Sequence, residues 1–128
     1  FAAQSHKVGV TPLTIGRSLG LHLKTSLTRC GPTTLAVADN AHAHEIFDAI
    51  NARHGGPRYS KLTLPDAPAA NAVLVNDALL YRAAAEFPKS AAVFERFCRD
   101  NGLRGVPLNA SEVGKADGAL SCCSVLLP

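Results

Sequence analysis

Residues 72–82, Ala-Val-Leu-Val-Asn-Asp-Ala-Leu-Leu-Tyr-Arg, decide the fold. They predict two short strands joined by a tight turn at Asn76-Asp77, because apolar residues on both sides flank a turn-forming pair. A helix is predicted next over residues 90–101, with Gly102 as its end. Residues 106–109 then predict a returning strand. The segment therefore has the order strand, strand, helix, strand.

The same order precedes this segment in the chain. The sequence predicts strands over 21–28, 34–38 and 59–64, with a helix from an N-cap at Asp39-Asn40 to Arg53 between the second and third strands. In the first strand, alternation places His22 and Lys24 together on one face. Two such units offset by about 50 residues are a repeat architecture. We therefore predict an α/β (α+β) fold of repeated strand-strand-helix-strand modules.

Three shorter elements are predicted outside these two units. Thr11–Ile15 favours a short strand, and Asn109 with Glu112 resembles a capping box for a short helix from Ser111 to about Lys115. A terminal strand is predicted over Ala119–Leu127. Two units and a fraction leave sheet edges exposed, which folded proteins avoid. Because the chain also begins at Phe1 and contains no methionine, we expect it to be part of a longer polypeptide.

Composition narrows the classes of function. The net charge is +3, from 13 basic and 10 acidic residues, and no basic run is interleaved with aromatic residues, so nucleic-acid binding has little support. No apolar stretch approaches the roughly 20 residues that span a bilayer. The cysteines form no Cys-x-x-Cys motif, which favours free thiols and a cytoplasmic location. Cys98 is expected to pack, and Cys30, before a Gly-Pro turn, is expected to be exposed.

The terminal stretch Asp117–Pro128 contains the adjacent pair Cys122 and Cys123. In one interpretation both pack on opposite faces of a buried strand; in the other, one of them is a nucleophile. His22 lies 100 residues earlier, which is no objection, because Cys-His pairs are assembled in space. Its simpler role is that of a solvated strand histidine. Asp117 is either the start of an Asp-Gly turn or a carboxylate beside the thiol.

Three segments of the sequence resemble dimethylarginine dimethylaminohydrolase. They are Leu21-His-Leu-Lys24, Lys61-Leu-Thr-Leu-Pro-Asp66 with Ala69-Ala-Asn71, and Asp117-Gly-Ala-Leu-Ser-Cys-Cys-Ser124. This family belongs to the pentein, or guanidino-group-modifying, superfamily. The resemblance implies a pentein β/α-propeller of five modules, of which this chain holds about half. The whole of 1–128 would be the C-terminal portion of one domain, with modules at about 19–65 and 71–109 and a terminal helix-strand at 111–128.

The resemblance also implies roles for individual residues. Cys122 matches the nucleophile and His22 the general acid and base, while Asp117 and Ala116 match residues that contact the substrate. Cys123 is assigned to packing. The implied reaction is hydrolysis of Nω-methylated or Nω,Nω-dimethylated L-arginine to L-citrulline and the methylamine, with no cofactor and no metal.

The family's acidic Phe-x-Glu-Asp segment, which grips the guanidinium group, is missing from this sequence. The expected partner is therefore an N-terminal half of the same fold, on the same chain or a separate one, with no nucleic acid and no membrane. Two other classes stay open. One is a catalytically inactive pentein-fold protein with an interaction or regulatory role. The other is a metal site at His22, Cys122 and Cys123, for which a vicinal pair makes awkward zinc geometry.

Overall fold

Each predicted unit forms a three-stranded sheet with one helix in the computed structural model, which describes Pro12 and residues 22–126. The first unit consists of β1 (Leu27–Arg29), β2 (Thr34–Ala38), α1 (Ala41–Arg53) and β3 (Ser60–Leu64). The second consists of β4 (Val73–Val75), β5 (Ala78–Arg82), α2 (Pro88–Asn101) and β6 (Arg104–Leu108). A short helix, α3 (Ser111–Gly114), and three 3₁₀ helices, Leu23–Thr25, Ala67–Ala70 and Leu120–Cys123, complete the described chain. Apart from Pro12, the strand predicted over Thr11–Ile15 lies outside the described residues.

The two sheets have the same topology. In each sheet the middle strand pairs antiparallel with the strand before it and parallel with the strand after the helix. Thr34 pairs with Ser60 at one end of the first parallel ladder, and Ala78 pairs with Arg104 in the second. A parallel pair needs a crossover connection, and the helix provides it. The predicted repeat of two strand-strand-helix-strand units is therefore confirmed.

The helix ends follow local sequence signals. The Asn40 side chain accepts a hydrogen bond of 2.9 Å from the backbone N–H of Ala43, so the predicted N-cap of α1 forms. Gly102 ends α2 with φ of 65°, a left-handed conformation that costs glycine little because it has no Cβ. Helix α2 begins at Pro88, two residues before its predicted start, since proline fits the first turn of a helix.

The core lies between the helices and the sheets. Tyr81 and Phe94 stack at its centre with ring centroids 5.1 Å apart. Cys30 and Cys98 are both buried in this core, so the packing predicted for Cys98 is confirmed. The exposed thiol predicted at Cys30 is wrong, because the residue pairs with Thr34 across the turn and points inward. Burial raises the pKa of Cys30 to about 12.

Two sets of hydrogen bonds, one buried and one part-buried, join the first unit to the second. The Thr28 hydroxyl donates to the carbonyl of Ala70 at 2.6 Å and accepts from the N–H of Ala72 at 3.1 Å. The Asp66 carboxylate accepts from the hydroxyl of Ser90 at 2.8 Å and from its N–H at 3.3 Å, in the first turn of α2. A carboxylate at a helix N-terminus is favourable because the helix dipole is positive there. The two units are thus joined by specific hydrogen bonds as well as by apolar packing.

Two strand predictions are wrong, each because a hydroxyl group stabilises a turn. The strand predicted over 21–28 is reduced to β1, since the Thr25 hydroxyl donates to the carbonyl of His22 at 2.6 Å and closes a 3₁₀ turn. The strand predicted over Ala119–Leu127 is replaced at Leu120–Cys123 by a 3₁₀ helix. There the Ser124 hydroxyl donates to the carbonyl of Leu120 at 2.7 Å.

The capping box predicted before α3 does not form. Asn109 accepts from the N–H of Ser111 at 2.9 Å, and the N-cap position falls to Ala110, which has no capping side chain. Glu112 instead pairs with Lys115 at 2.8 Å on the surface. Within Pro12 and residues 22–126, the structure holds no helix both long and apolar enough to cross a membrane.

Candidate active site

Cys122 and Cys123 lie on the 3₁₀ helix Leu120–Cys123, and both thiols are exposed. The N–H groups of both cysteines donate to the carbonyl of Ala119, at 3.0 and 3.3 Å, which turns the chain away from an extended path. The interpretation that places both cysteines in the core is therefore wrong. The packing role assigned to Cys123 is also wrong within this chain, because the residue is exposed.

His22 lies at the N-terminal end of the 3₁₀ helix Leu23–Thr25, and its side chain is exposed. Its carbonyl accepts from both the hydroxyl and the N–H of Thr25, at 2.6 and 3.1 Å. The prediction that His22 and Lys24 share one face of a strand is wrong, since Lys24 lies inside the 3₁₀ turn. The backbone around His22 is nevertheless fixed by local hydrogen bonds.

One buried side chain connects the histidine segment (residues 22–26) to the cysteine segment (residues 119–124). Asn71 is only 2% exposed. Its Nδ2 group donates to the carbonyl of Lys24 at 3.2 Å and to the hydroxyl of Ser121 at 2.9 Å. Its Oδ1 atom accepts from the N–H of Ser121 at 2.9 Å. The structure therefore brings together two segments that are about 100 residues apart in the sequence.

An open cleft of about 750 Å³ lies beside this junction. It is lined by Thr25, Ala67, Pro68, Asn71, Arg82, Ala85, Glu86, Phe87, Ser111, Gly114, Lys115, Asp117, Gly118 and Ala119. Asp117 is thus the predicted site residue that the cleft includes. Each of the two connected segments contributes to the wall, through Thr25 and Ala119, while the side chains of His22, Cys122 and Ala116 lie outside the lining.

The Asp-Gly turn predicted at Asp117 is present, and steric constraints explain why these two residues occupy it. Asp117 has φ of 55°, a left-handed conformation that aspartate tolerates better than most residues. A Cβ atom on Gly118 would lie 2.4 Å from the side chain of Val113, so only glycine fits there. The N–H of Gly118 donates to the carbonyl of Val113 at 2.9 Å. The turn therefore fixes where the Asp117 carboxylate enters the cleft.

A buried ion pair, which was not predicted from the sequence, borders the same cleft. Arg82 and Glu86 form a bidentate pair, and each side chain is less than a tenth exposed. Glu86 also accepts from the N–H of Ala110 at 2.8 Å. Hydrogen bonding to Arg82 holds the pKa of Glu86 below its ordinary value of 4.5. The pair joins β5, the turn before α2 and the segment before α3.

Sequence signals for these two missed features were weak. Asn71 belongs to one of the segments that carry the family resemblance, but nothing local shows what its amide binds. The spacing of Arg82 and Glu86 suits a helix pair, whereas here it crosses the turn between β5 and α2. Neither contact follows from local pattern, because each depends on a segment that is distant in the sequence.

The three-ligand metal site considered from the sequence does not form. Among the described residues, no group of three or more histidine, cysteine, aspartate or glutamate side chains is arranged to hold a metal ion. His22, Cys122 and Cys123 therefore do not constitute such a site. The two segments connected by Asn71 therefore carry two exposed cysteines and an exposed histidine.

Three solved structures share the fold of this chain. The class is a mixed α/β fold with strand-strand-helix-strand units. Within that class, all three are dimethylarginine dimethylaminohydrolases, which confirms the resemblance recognised in the sequence. One is a histidine-to-glycine variant in adduct with S-methyl-L-thiocitrulline (23% identity, TM-score 0.61). The second is a cysteine-to-serine variant of the Pseudomonas aeruginosa enzyme with citrulline (22%, 0.58), and the third is an adduct with 4-chloro-2-hydroxymethylpyridine (24%, 0.58).

Each match covers 83% of this chain. The chain in turn spans 36–38% of the length of those structures, rather less than the half expected from the sequence. No known protein-family model matches the chain. The likeness is therefore one of fold.

Proposed function

We propose that this chain carries the nucleophile and the acid/base group of a hydrolase that converts Nω-methylated or Nω,Nω-dimethylated L-arginine to L-citrulline. The observation that carries the proposal is the connection of the histidine and cysteine segments through Asn71, in a chain whose fold matches dimethylarginine dimethylaminohydrolase structures. Cys122 is the proposed nucleophile and His22 the proposed general acid and base. The chain is further proposed to be part of a five-module pentein ring.

The first step is attack of the Cys122 thiolate on the guanidinium carbon. That carbon is stabilised by resonance, so it requires a strong nucleophile, and a thiolate is strong enough. A C–S bond forms, and the bond from carbon to the methylated nitrogen breaks. His22 donates a proton to that nitrogen, because an amide-like anion is too poor a leaving group. Methylamine or dimethylamine departs and leaves a covalent S-alkylthiouronium on Cys122.

The second step hydrolyses this intermediate. His22, now neutral, removes a proton from water, which attacks the thiouronium carbon. The C–S bond breaks and the thiolate of Cys122 is regenerated. The oxygen of the water becomes the carbonyl oxygen of citrulline, and its second proton is released to solvent. The two reaction steps require no metal and no cofactor, since the thiolate supplies the nucleophile and the imidazole moves the protons.

Recognition of the cationic substrate is assigned to the cleft. The Asp117 carboxylate in the cleft wall suits a guanidinium group. Ala116, which lies outside the lining, is proposed as an apolar contact on the basis of the family resemblance. The remaining carboxylates are proposed to come from an N-terminal half of the same fold, on the same chain or a separate one. The exposure of His22 and Cys122 leaves both accessible to such a region.

Covalent labelling tests the proposed nucleophile. 2-Chloroacetamidine resembles a guanidinium group and alkylates thiolates. We expect it to modify Cys122 in preference to Cys123 by about tenfold or more, measured as adducts by peptide mass spectrometry. Because both thiols are exposed, accessibility alone predicts similar rates.

Cys123→Ser is the matched control and is expected to leave the labelling of Cys122 unchanged, whereas Cys122→Ser removes the fast phase. Equal labelling of the two thiols would contradict the assignment. Citrulline release from dimethylarginine is then measured with and without an added N-terminal half. Full turnover by this chain alone would contradict the need for that half.

A further inference from the structure

We infer that Asn71 is a positioning residue that holds the histidine segment and the cysteine segment in register, an inference that rests on the proposed function of His22 and Cys122. No step of the proposed reaction uses the Asn71 amide. Its partners lie two residues after His22 and one residue before Cys122. A single side chain therefore determines how these two segments lie relative to each other.

The amide of Asn71 is fully used at this junction. The Nδ2 group has two N–H donors, and the structure gives it two acceptors, one on each segment. The Oδ1 atom accepts from the Ser121 N–H, so Ser121 is held through both its backbone and its side chain. A buried amide with all of these bonds made is rigid, because any rotation leaves polar groups unpaired away from water.

The backbone that carries Asn71 is fixed as well. The residues on either side of it, Ala70 and Ala72, are both hydrogen bonded to the hydroxyl of Thr28 in β1. In the chain, β1 follows the histidine segment directly. The strand that holds the backbone of Asn71 is therefore continuous with the segment to which the Asn71 side chain bonds. The amide is thus carried by a backbone segment that is held on both sides, as the precise placement of two reactive groups requires.

A part-buried asparagine elsewhere in the chain pairs with backbone groups in a similar way and provides a control. Asn51, at the end of α1, donates from Nδ2 to the carbonyl of Tyr59 at 3.0 Å and accepts from the Tyr59 N–H at 2.9 Å. These bonds join a helix end to the residue before β3, and neither of them involves a segment of the candidate site. Changes at Asn51 and Asn71 therefore disturb similar hydrogen bonds, but only those at Asn71 concern the reactive groups.

Asn71→Asp separates the two connections. A carboxylate still accepts from the Ser121 N–H, and the Ser121 hydroxyl can turn to donate to it. The carbonyl of Lys24 cannot donate, so the connection to the histidine segment is lost. We expect the rate of 2-chloroacetamidine labelling at Cys122 to fall by roughly tenfold to a hundredfold, because misplacement of about 1 Å has effects of this size. We expect Asn51→Asp to leave this rate unchanged.

Amide hydrogen exchange gives a readout that is independent of any reaction. We expect Asn71→Ala to accelerate exchange at Ser121 and to shift the NMR signals of residues 22–26, whereas Asn71→Asp shifts residues 22–26 but keeps Ser121 protected. Ser121→Ala removes one bond only and is expected to slow labelling by a smaller factor, so it serves if Asn71→Ala does not fold.

Equal effects of Asn71→Asp and Asn51→Asp on labelling would overturn the inference, as would unchanged signals for residues 22–26 in Asn71→Asp. If these signals shift but the unmodified chain labels Cys122 and Cys123 alike, the proposed function fails while the connection through Asn71 stands. The two failures are therefore distinguishable.

Discussion

At the scale of single residues, burial divides the four cysteines into two pairs. Cys30 and Cys98 lie in the core, and burial raises the pKa of each thiol. Cys122 and Cys123 are exposed on a 3₁₀ helix. Since the thiolate is the reactive form, burial lowers the reactivity of Cys30 and Cys98 both by limiting access and by raising the pKa.

Iodoacetamide at pH 8 is therefore expected to modify Cys122 and Cys123 in the folded chain and to leave Cys30 and Cys98 unmodified over the same period. Peptide mass spectrometry after timed quenching measures the four rates. In denaturant all four thiols should react, which is the control for intrinsic reactivity. Labelling of Cys30 in the folded chain at the rate of Cys123 would contradict its burial.

At the scale of elements, capping groups determine where the helices and turns begin and end. The Asn40 amide caps α1, Gly102 ends α2, and the Thr25 hydroxyl closes the turn after His22. Each of these uses a backbone group that a regular element would leave unpaired. The candidate site depends on the third of them, because it replaces an extended strand with a turn at His22.

Asn40→Ala is expected to destabilise the chain by about 1 kcal/mol, because the N–H of Ala43 loses its acceptor. Urea unfolding followed by circular dichroism measures the change. Asn40→Ser keeps a capping oxygen and should cost much less. An equal loss for both variants would indicate that the amide acts by packing and not as a cap.

At the scale of the whole molecule, polar contacts between distant segments hold the two repeated units together. Asp66 reaches the first turn of α2, and Thr28 reaches the segment before β4. Within the second unit, the Arg82–Glu86 pair connects β5 to the segment that leads into α3. Because Arg82 and Glu86 also line the cleft, this pair links stability to the geometry of the site.

Glu86→Gln is expected to destabilise the chain by about 3 kcal/mol near pH 7, because Arg82 would stay buried without a counter-charge. The pKa of Glu86 is lowered in the folded state, so its contribution is present above about pH 4.5 and is lost as the pH falls through the lowered value. The difference in unfolding free energy between the two proteins should therefore shrink in acid.

Urea titrations from pH 7 to pH 3 measure this difference. Glu112→Gln, which breaks an exposed pair with Lys115, is the matched control, and we expect it to change stability by at most a few tenths of a kcal/mol at any pH. A constant difference between Glu86→Gln and the unmodified chain across this range would contradict the role of the Glu86 charge.

The sequence by itself determined the two strand-strand-helix-strand units, the caps at Asn40 and Gly102, and the likeness to dimethylarginine dimethylaminohydrolase. The units and the caps depend on short-range signals such as apolar period, turn residues and capping groups, which act within a few residues. The likeness rests on three short segments that resemble that family. The candidate residues His22, Cys122, Asp117 and Ala116 were named from the same short segments, and their roles stay predictions.

Only the tertiary structure decided that His22 and Cys122 lie on turns, that Cys30 is buried, and that Asn71 connects the histidine segment to the cysteine segment. Strand patterns at residues 21–28 and 119–127 were overridden by hydroxyl groups that bond to nearby carbonyls. The bonds of Asn71 join residues 47 and 50 positions apart, a pairing that no local pattern contains. Contacts of this range form only when the whole chain packs, and for that reason the sequence could name His22 and Cys122 as candidates but not the side chain that connects their segments.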